Sequence, residues 1–230
     1  MKRIFITGIG TGVGKTLAAA CVTEALKAHY WKPVQAGLDE GTDTETVKSL
    51  VSNAFSVCHP EAYRLREPAS PHLAARMEGI TIDPAEIVLQ ADAIQPPEED
   101  YLVIEGAGGL LVPLNEDVFT IDLIRALRAQ VIIVAQNYLG SINHSLLTAR
   151  VLQHSHIPVL GWIFSGAEHT NEADIVRWSE LPLLGHIPTA SKIDAAFVRH
   201  QALRLVGSLG EALDQNMSRY SNPPLSRQLP

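Results

Sequence analysis

The sequence predicts a single three-layer α/β domain, with a mostly parallel central sheet of about seven strands between two layers of helices. Three observations carry this expectation. Short apolar runs alternate with helical patterns along the chain. The runs are apolar throughout rather than at every second position, as in strands covered on both faces. No repeat, linker or charge block divides the 230 residues. That length suits one large α/β domain or two small ones, and one is the economical reading.

In chain order, "RIFIT" (3–7) reads as a strand and "KTLAAACVTEALKA" (15–28) as a helix. "YWKPV" (30–34) reads as a second strand. "TDTETVKSLVS" is a helix opened by Thr and Asp, with a carboxylate following in capping-box fashion. "SPHLAARMEG" and "DPAEIVLQADAI" are two more helices, the second with Pro in its first turn. "YLVIE" (101–105) is a buried strand, "TIDLIRALRA" a helix and "VIIVA" (131–135) a strand. There follow a helix at "INHSLLTARVLQH", a strand at "IPVLGWIF", a helix at "NEADIVRWS", a strand at "PLLGHIP" and a helix near 192–214. The domain is expected over residues 1–215. Residues 216–230, polar and Pro-rich toward the end, are expected to be a flexible tail. Ligands should sit at the carboxyl ends of the strands.

Hydrophobic residues make up 46% of the chain and charged ones 19%, enough for a sizeable core. The net charge of −7 argues against general nucleic-acid binding, which wants a basic face. No run approaches the roughly 18 apolar residues of a membrane span. "MKRIFI" has a basic start, but its apolar run breaks at Thr7 and Gly8, too short for a signal peptide. The two cysteines, Cys21 and Cys58, belong to no metal-spaced cluster, and the cytoplasm is the expected compartment.

The most informative stretch is "TGIGTGVGKT" (7–16), between a strand and a helix. Its glycines let backbone N–H groups turn inward onto phosphate oxygens, and the following helix points its positive end at the same place. Lys15 supplies a charge for the β- and γ-phosphates, and the Thr16 hydroxyl suits a magnesium ligand. The spacing is Gly8-x5-Gly14-Lys15-Thr16, one residue longer than the usual phosphate loop (P-loop). With the strand and helix order, the loop makes the expected fold that of a P-loop NTPase. A nucleotide switch would want an "NKxD" base reader, which the chain lacks. A partitioning ATPase would carry a second lysine early in the loop, where residues 9–13 are Ile, Gly, Thr, Gly and Val.

Two further stations lie at strand ends. "YWKPVQAG" puts Lys32 where the cleft should be, so Lys15 and Lys32 would face one site; paired cations suit a developing anion on a phosphoryl acceptor. "YLVIEGAGG" puts Glu105 at the end of a buried strand, as a turn cap or a magnesium ligand. Asp43 in "GTDTET" is a second candidate carboxylate, or a helix cap.

"GIGTGVGKT", "WKPVQAG", "EPASPHLAARMEG", "IEGAGGLLVPL", "LGSINHSLLTARVLQH", "GWIFSG" and "PLLGHIP" occur in the order seen in dethiobiotin synthetases. The sequence resembles that family from about residue 3 to residue 190. The resemblance implies an ATP-dependent ligase of biotin synthesis that closes a cyclic urea from 7,8-diaminononanoate, CO₂ (or bicarbonate) and MgATP. One amine captures CO₂ as a carbamate, the carbamate oxygen attacks the γ-phosphate, and the second amine displaces phosphate from the mixed anhydride. By this likeness Lys32 holds the carbamate, and Lys15 bridges it to the γ-phosphate. Thr16, Asp43 and Glu105 match the magnesium positions. The implied nucleotide contacts are Gly12, Val13, Gly14, Lys15, Thr16, Leu17 and Asp43, then Glu105, Gly106, Ala107 and Gly108, and around the base Ser165, Pro188, Thr189 and Ala190. The implied substrate contacts are Lys32, Ala36, Gly140, Ser141 and Asn143, the last three given across a homodimer interface. The chain departs from the family's pattern at Gly10 and Gly12, where a carboxylate is common in the loop, and at Ala36, where Ser or Thr is common. It departs again at Ser165, where an adenine-reading Asn is expected. The runner-up reading is a P-loop ATPase whose hydrolysis drives assembly or partner binding.

Overall fold

The computed structural model describes residues 2–94, 101–167 and 171–221, with side chains described as far as 215. Its elements are β1 (Lys2–Gly8), α1 (Lys15–Leu26), β2 (His29–Trp31), β3 (Val34–Ala36), α2 (Asp43–Leu50), β4 (Cys58–His59), β5 (Tyr63–Leu65), α3 (Pro71–Met77) and α4 (Pro84–Ala93). There follow β6 (Tyr101–Glu105), α5 (Thr120–Ala126), β7 (Gln130–Gln136), α6 (Ser141–His154), β8 (Val159–Gly166), α7 (Asn171–Ser179), β9 (Leu183–Pro188) and α8 (Ala195–Ser221).

The main sheet has seven strands in the order β4-β2-β6-β1-β7-β8-β9. Every pairing in it is parallel. β1 lies at the centre, with β6 on one side and β7 on the other. The chain order reverses there, so a crevice opens at its carboxyl end.

Side chains alternate between the two faces of the sheet. Ile4 and Ile6 of β1 join one buried cluster with Ala18 to Val22 of α1, Val47 of α2 and Val198 and Leu205 of α8. Phe5 joins the other, with Ala74 of α3, Ile87 of α4, Ile124 of α5, Leu152 of α6 and Ile175 of α7. These two clusters make the three layers. Among the described residues no helix is long and apolar enough to cross a membrane.

The expected strand at 30–34 is two strands in two sheets. β2 ends at Trp31, and β3 begins at Val34 in a separate two-stranded sheet with β5. Pro33 has no N–H to give to a ladder, so the break falls at Lys32-Pro33. β4 and β5 were not expected; at two and three residues they are too short to show a pattern. α2 has the expected capping box, built by Thr42 and Glu45. α8 continues to Ser221, and residues 222–230 of the expected tail lie outside the described residues.

β8 carries a bulge. Its register with β7 steps from Val131↔Val159 to Ile132↔Gly161, passing over Leu160. The bulge changes the phase of the strand: Leu160 and Ile163 pack on the α1 face, whereas Trp162 and Phe164 pack on the opposite one. Gly161 has φ 149°, and a Cβ there would collide with the Pro182 carbonyl oxygen and stand 2.9 Å from Leu184 Cγ. That carbonyl accepts from the Trp162 N–H at 2.8 Å and cannot retreat freely. Gly161→Ala is therefore expected to lose about 1–3 kcal/mol, the usual cost of overpacking, in urea denaturation.

Candidate active site

The loop from Gly8 to Gly14 leaves the central strand and is tied to both neighbours. The Gly8 N–H donates to the Gly108 carbonyl at 3.3 Å, and the Ile9 N–H to Val134 at 3.0 Å. Gly14, at φ 86°, is the N-cap of α1 and turns the chain into the helix. That conformation strains residues with a Cβ. Lys15 folds back over the loop, and its Nζ donates to the Gly10 carbonyl at 2.9 Å.

Three strand ends converge beside this loop. Glu105 ends β6, paired in register with Ile6 of β1. Lys32 follows β2, which pairs with β6 on its other edge. Asp43 is the first residue of α2, with Thr42 as the cap. Lys32 Nζ donates to Glu105 Oε1 at 3.1 Å and to Asp43 Oδ2. Lys15, Lys32 and Glu105 are only 8%, 5% and 1% exposed. Burial alone would lower the pKa of the Lys32 ammonium, but the charges of Glu105 and Asp43 outweigh it and hold the pKa above the usual lysine value. Burial would raise the Asp43 carboxyl, but Lys32 and the Thr16 hydroxyl hold it below its usual value. At Lys15 burial wins, aided by the Lys32 charge, and its pKa is lowered.

The Thr16 hydroxyl lies 2.7 Å from Asp43 Oδ1 and 2.9 Å from Glu105 Oε1. A hydroxyl has one proton and can serve only one of them at a time. The three groups thus form an electron-rich, all-oxygen cluster of the kind that suits a hard divalent cation, and Thr16, Asp43 and Glu105 fit magnesium.

Two residues that the sequence reading passed over hold this cluster. The buried Tyr30 hydroxyl donates to Glu105 Oε2 at 2.8 Å, which leaves Oε1 for the cleft. The Gln35 side chain accepts from the Asp43 N–H at 3.1 Å and donates to the Gly37 carbonyl at 3.1 Å. Tyr30 stands two residues before Lys32, the spacing that places strand residues on one face. Gln35 carries no comparable signal.

A cleft of about 860 Å³ opens over the cluster. Of the residues picked out in the sequence, Gly12, Gly14, Lys15, Thr16, Leu17, Lys32, Ala36, Asp43, Glu105, Ala107 and Gly108 line it. Val34, Pro68, Pro71, Val112 and Ile193 add an apolar wall that the sequence reading did not anticipate. Val13, Gly106 and Ser165 are not lining residues. The Ser165 hydroxyl, at the end of β8, donates to the Val13 carbonyl at 2.7 Å. Pro188, Thr189 and Ala190, at and after the end of β9, lie outside the lining, as do Gly140, Ser141 and Asn143 at the start of α6.

A family model described as an AAA domain matches residues 2–196. A protein of Cytophaga hutchinsonii named ATP-dependent dethiobiotin synthetase BioD is 46% identical over 206 residues, 89% of this chain and 97% of its own. Proteins of the same name from Christiangramia forsetii and Agrobacterium fabrum are 48% and 45% identical, over 87% and 86% of this chain and 94% and 93% of theirs. Among solved structures, the septum site-determining protein MinD of Pyrococcus horikoshii, complexed with Mg-ADP, superposes with a TM-score of 0.62 at 15% identity. It covers 96% of this chain and 99% of its own. The Pyrococcus furiosus cell division ATPase MinD gives 0.58 at 15% identity, over 94% and 100%. At that identity the likeness is one of fold, and the fold is the P-loop NTPase fold.

The Lys32 pair has a measurable weight. Replacing Lys32 with Met leaves Glu105 buried without its counter-charge, and Lys32→Met is expected to lower stability at neutral pH by about 3–5 kcal/mol. A raised lysine pKa stabilises below 10.5 and a depressed aspartate pKa above 3.8, so the pair contributes between those limits. The gap between wild type and Lys32→Met should therefore narrow as pH falls below 3.8, through the depressed Asp43 value. Denaturant melts across pH check this; an unchanged gap at acid pH would contradict it.

Proposed function

The chain belongs to the ATP-dependent dethiobiotin synthetases, and we propose that the cleft between the phosphate loop and Lys32 is where it closes the ureido ring. The enzyme is an ATP-dependent cyclo-ligase. It converts 7,8-diaminononanoate, CO₂ and ATP into dethiobiotin, ADP and phosphate. The observation that carries the assignment to this cleft is the convergence of a second buried lysine with the phosphate-loop lysine.

In the proposed sequence one substrate amine attacks the carbon of CO₂ and loses a proton, giving a carbamate. A carbamate oxygen attacks the γ-phosphorus and the bond to ADP breaks. The second amine attacks the carbonyl carbon of the resulting carbamic–phosphoric anhydride, phosphate leaves, and the ring closes. The phosphoryl transfer sets a carbamate anion against a triphosphate anion, so fixed positive charge is what the site must supply. Lys32 has three donor protons, two of which serve Asp43 and Glu105; the third is available to a carbamate oxygen. Lys15, whose ammonium now rests on the Gly10 carbonyl, extends to the γ-phosphate. The N–H groups of Gly12 to Thr16 receive the phosphates, with Leu17 and Gly106 to Gly108 alongside. Thr16, Asp43 and Glu105 would hold magnesium, which supplies charge neutralisation of the triphosphate when bound. Tyr30 and Gln35 keep those two carboxylates oriented. Ala36 and the apolar wall face the aliphatic chain of the diamine. Pro188, Thr189 and Ala190 are assigned to the base.

The far carboxylate of the substrate is assigned to Gly140, Ser141 and Asn143 of a second subunit in a homodimer. Three features support this. These residues lie outside the cleft of their own chain, and the N-cap of α6 has no side-chain hydrogen bond, which leaves the Ile142 and Asn143 N–H groups for an anion while that of Ser141 donates to the Tyr138 carbonyl at 2.9 Å. Leu139 beside them is fully exposed, and Tyr138 and Leu147 are exposed as well. The cytoplasm is the compartment assigned, in keeping with two unpaired cysteines.

ADP release in the presence of MgATP should depend on both 7,8-diaminononanoate and bicarbonate, and product should carry label from ¹⁴C-bicarbonate. ATP turnover indifferent to the diamine would overturn the reading. Lys32→Ala should lose about 2.7–4 kcal/mol of transition-state stabilisation, by analogy with loss of an oxyanion donor, seen in kcat.

Asn143→Ala should raise KM for the diamine more than KM for ATP. Mixing it with Lys32→Ala subunits should restore part of the activity, because one site of each hybrid is intact. No recovery after demonstrated subunit exchange would refute shared sites.

A further inference from the structure

We infer that Ser165 is a positioning residue for the phosphate loop and not a reader of the base. The inference rests on the reading that this loop holds the nucleotide phosphates. Ser165 sits at the carboxyl end of β8, only 6% exposed, two residues after Ile163 and on the same face of the sheet as α1. Its hydroxyl reaches beneath the loop and donates to the Val13 carbonyl at 2.7 Å. It is a contact between residues 152 positions apart.

The consequence follows from peptide planarity. No peptide bond among the described residues is cis. In a trans peptide the carbonyl and the following N–H point in opposite directions. Holding the Val13 carbonyl down onto Ser165 therefore aims the Gly14 N–H the other way, into the cleft that Gly14 lines. Val13 itself is 2% exposed and packed in the core beside α1, so the peptide is fixed from both ends. Ser165 also occupies the space beside Gly14: a Cβ at Gly14 would stand 2.8 Å from Ser165 Oγ. With its one proton on Val13, the hydroxyl has no donor left for a nucleobase.

The test is binding of ADP, GDP, CDP and inorganic tripolyphosphate to wild type and variants by calorimetry. Ser165→Ala should weaken all four by about the same three- to tenfold, the size of one net hydrogen bond, with the ADP:GDP ratio unchanged. Ser165→Thr, which keeps the hydroxyl, should restore wild-type binding. Ser165→Cys, similar in shape but a weak donor, should behave like Ala. KM for the diamine should not move in any variant that is folded by its thermal melt. A loss confined to ADP, with tripolyphosphate unaffected, would overturn the inference in favour of base reading. Unchanged binding of all four ligands to Ser165→Ala and Ser165→Cys would overturn it too. If wild type bound neither ADP nor tripolyphosphate, the reading of the loop itself would fall, and the inference with it.

Discussion

The ammonium of Lys32, buried between Asp43 and Glu105, is the interaction on which the architecture of the cleft depends. Two carboxylates brought within reach of one threonine hydroxyl repel each other, and Glu105 has almost no contact with water to soften this. Lys32 offsets that repulsion with one ammonium hydrogen-bonded to both. The sheet order makes the arrangement possible: β6 lies between β1 and β2, so the phosphate loop, Glu105 and Lys32 leave three adjacent strand ends. Asp43 comes from the far side, on the first turn of a helix whose capping box fixes where that turn starts.

Legibility in the sequence followed the range of the interactions. β1, the loop and α1 are contiguous, and their glycines, lysine and threonine declare themselves within ten residues. Lys32 and Glu105 could be placed because each ends an apolar run. The split of "YWKPV" was hidden because Pro33 reads equally as an edge residue and as a break; only the second sheet decides between them. β4 and β5 are held by partners far along the chain and have no pattern of their own. Tyr30 offered a period-two hint. Its use became visible only when Glu105, 75 residues away, was seen beside it. Pro68 and Pro71 of the apolar wall lie in "EPASPHLAARMEG", whose likeness to the family was legible but whose place against the cleft was not, because the wall is built with Val34 and Val112 from distant segments.

The solved structures and the relatives divide the molecule in an instructive way. MinD proteins at 15% identity share the fold but give no warrant for the chemistry. The dethiobiotin synthetases, at 45–48% identity over 86–89% of the chain, are similar along nearly its whole length. The core sets where strand ends lie, and the few residues just beyond them determine what the site can do.

The bulge at Leu160-Gly161 also bears on how such strands are compared between proteins. Beyond it, odd-numbered positions of β8 look toward α1, as Ile163 does; before it, odd-numbered Val159 packs on the opposite face. Counting residues from the "GW" pair to find a functional equivalent therefore assumes that the irregularity is shared. Where a homologue smooths the strand, the same offset delivers a side chain to the other layer. An aligned column would then mix residues that serve different compartments of the fold. Position 165 is meaningful as a place under the loop only together with the kink five residues before it.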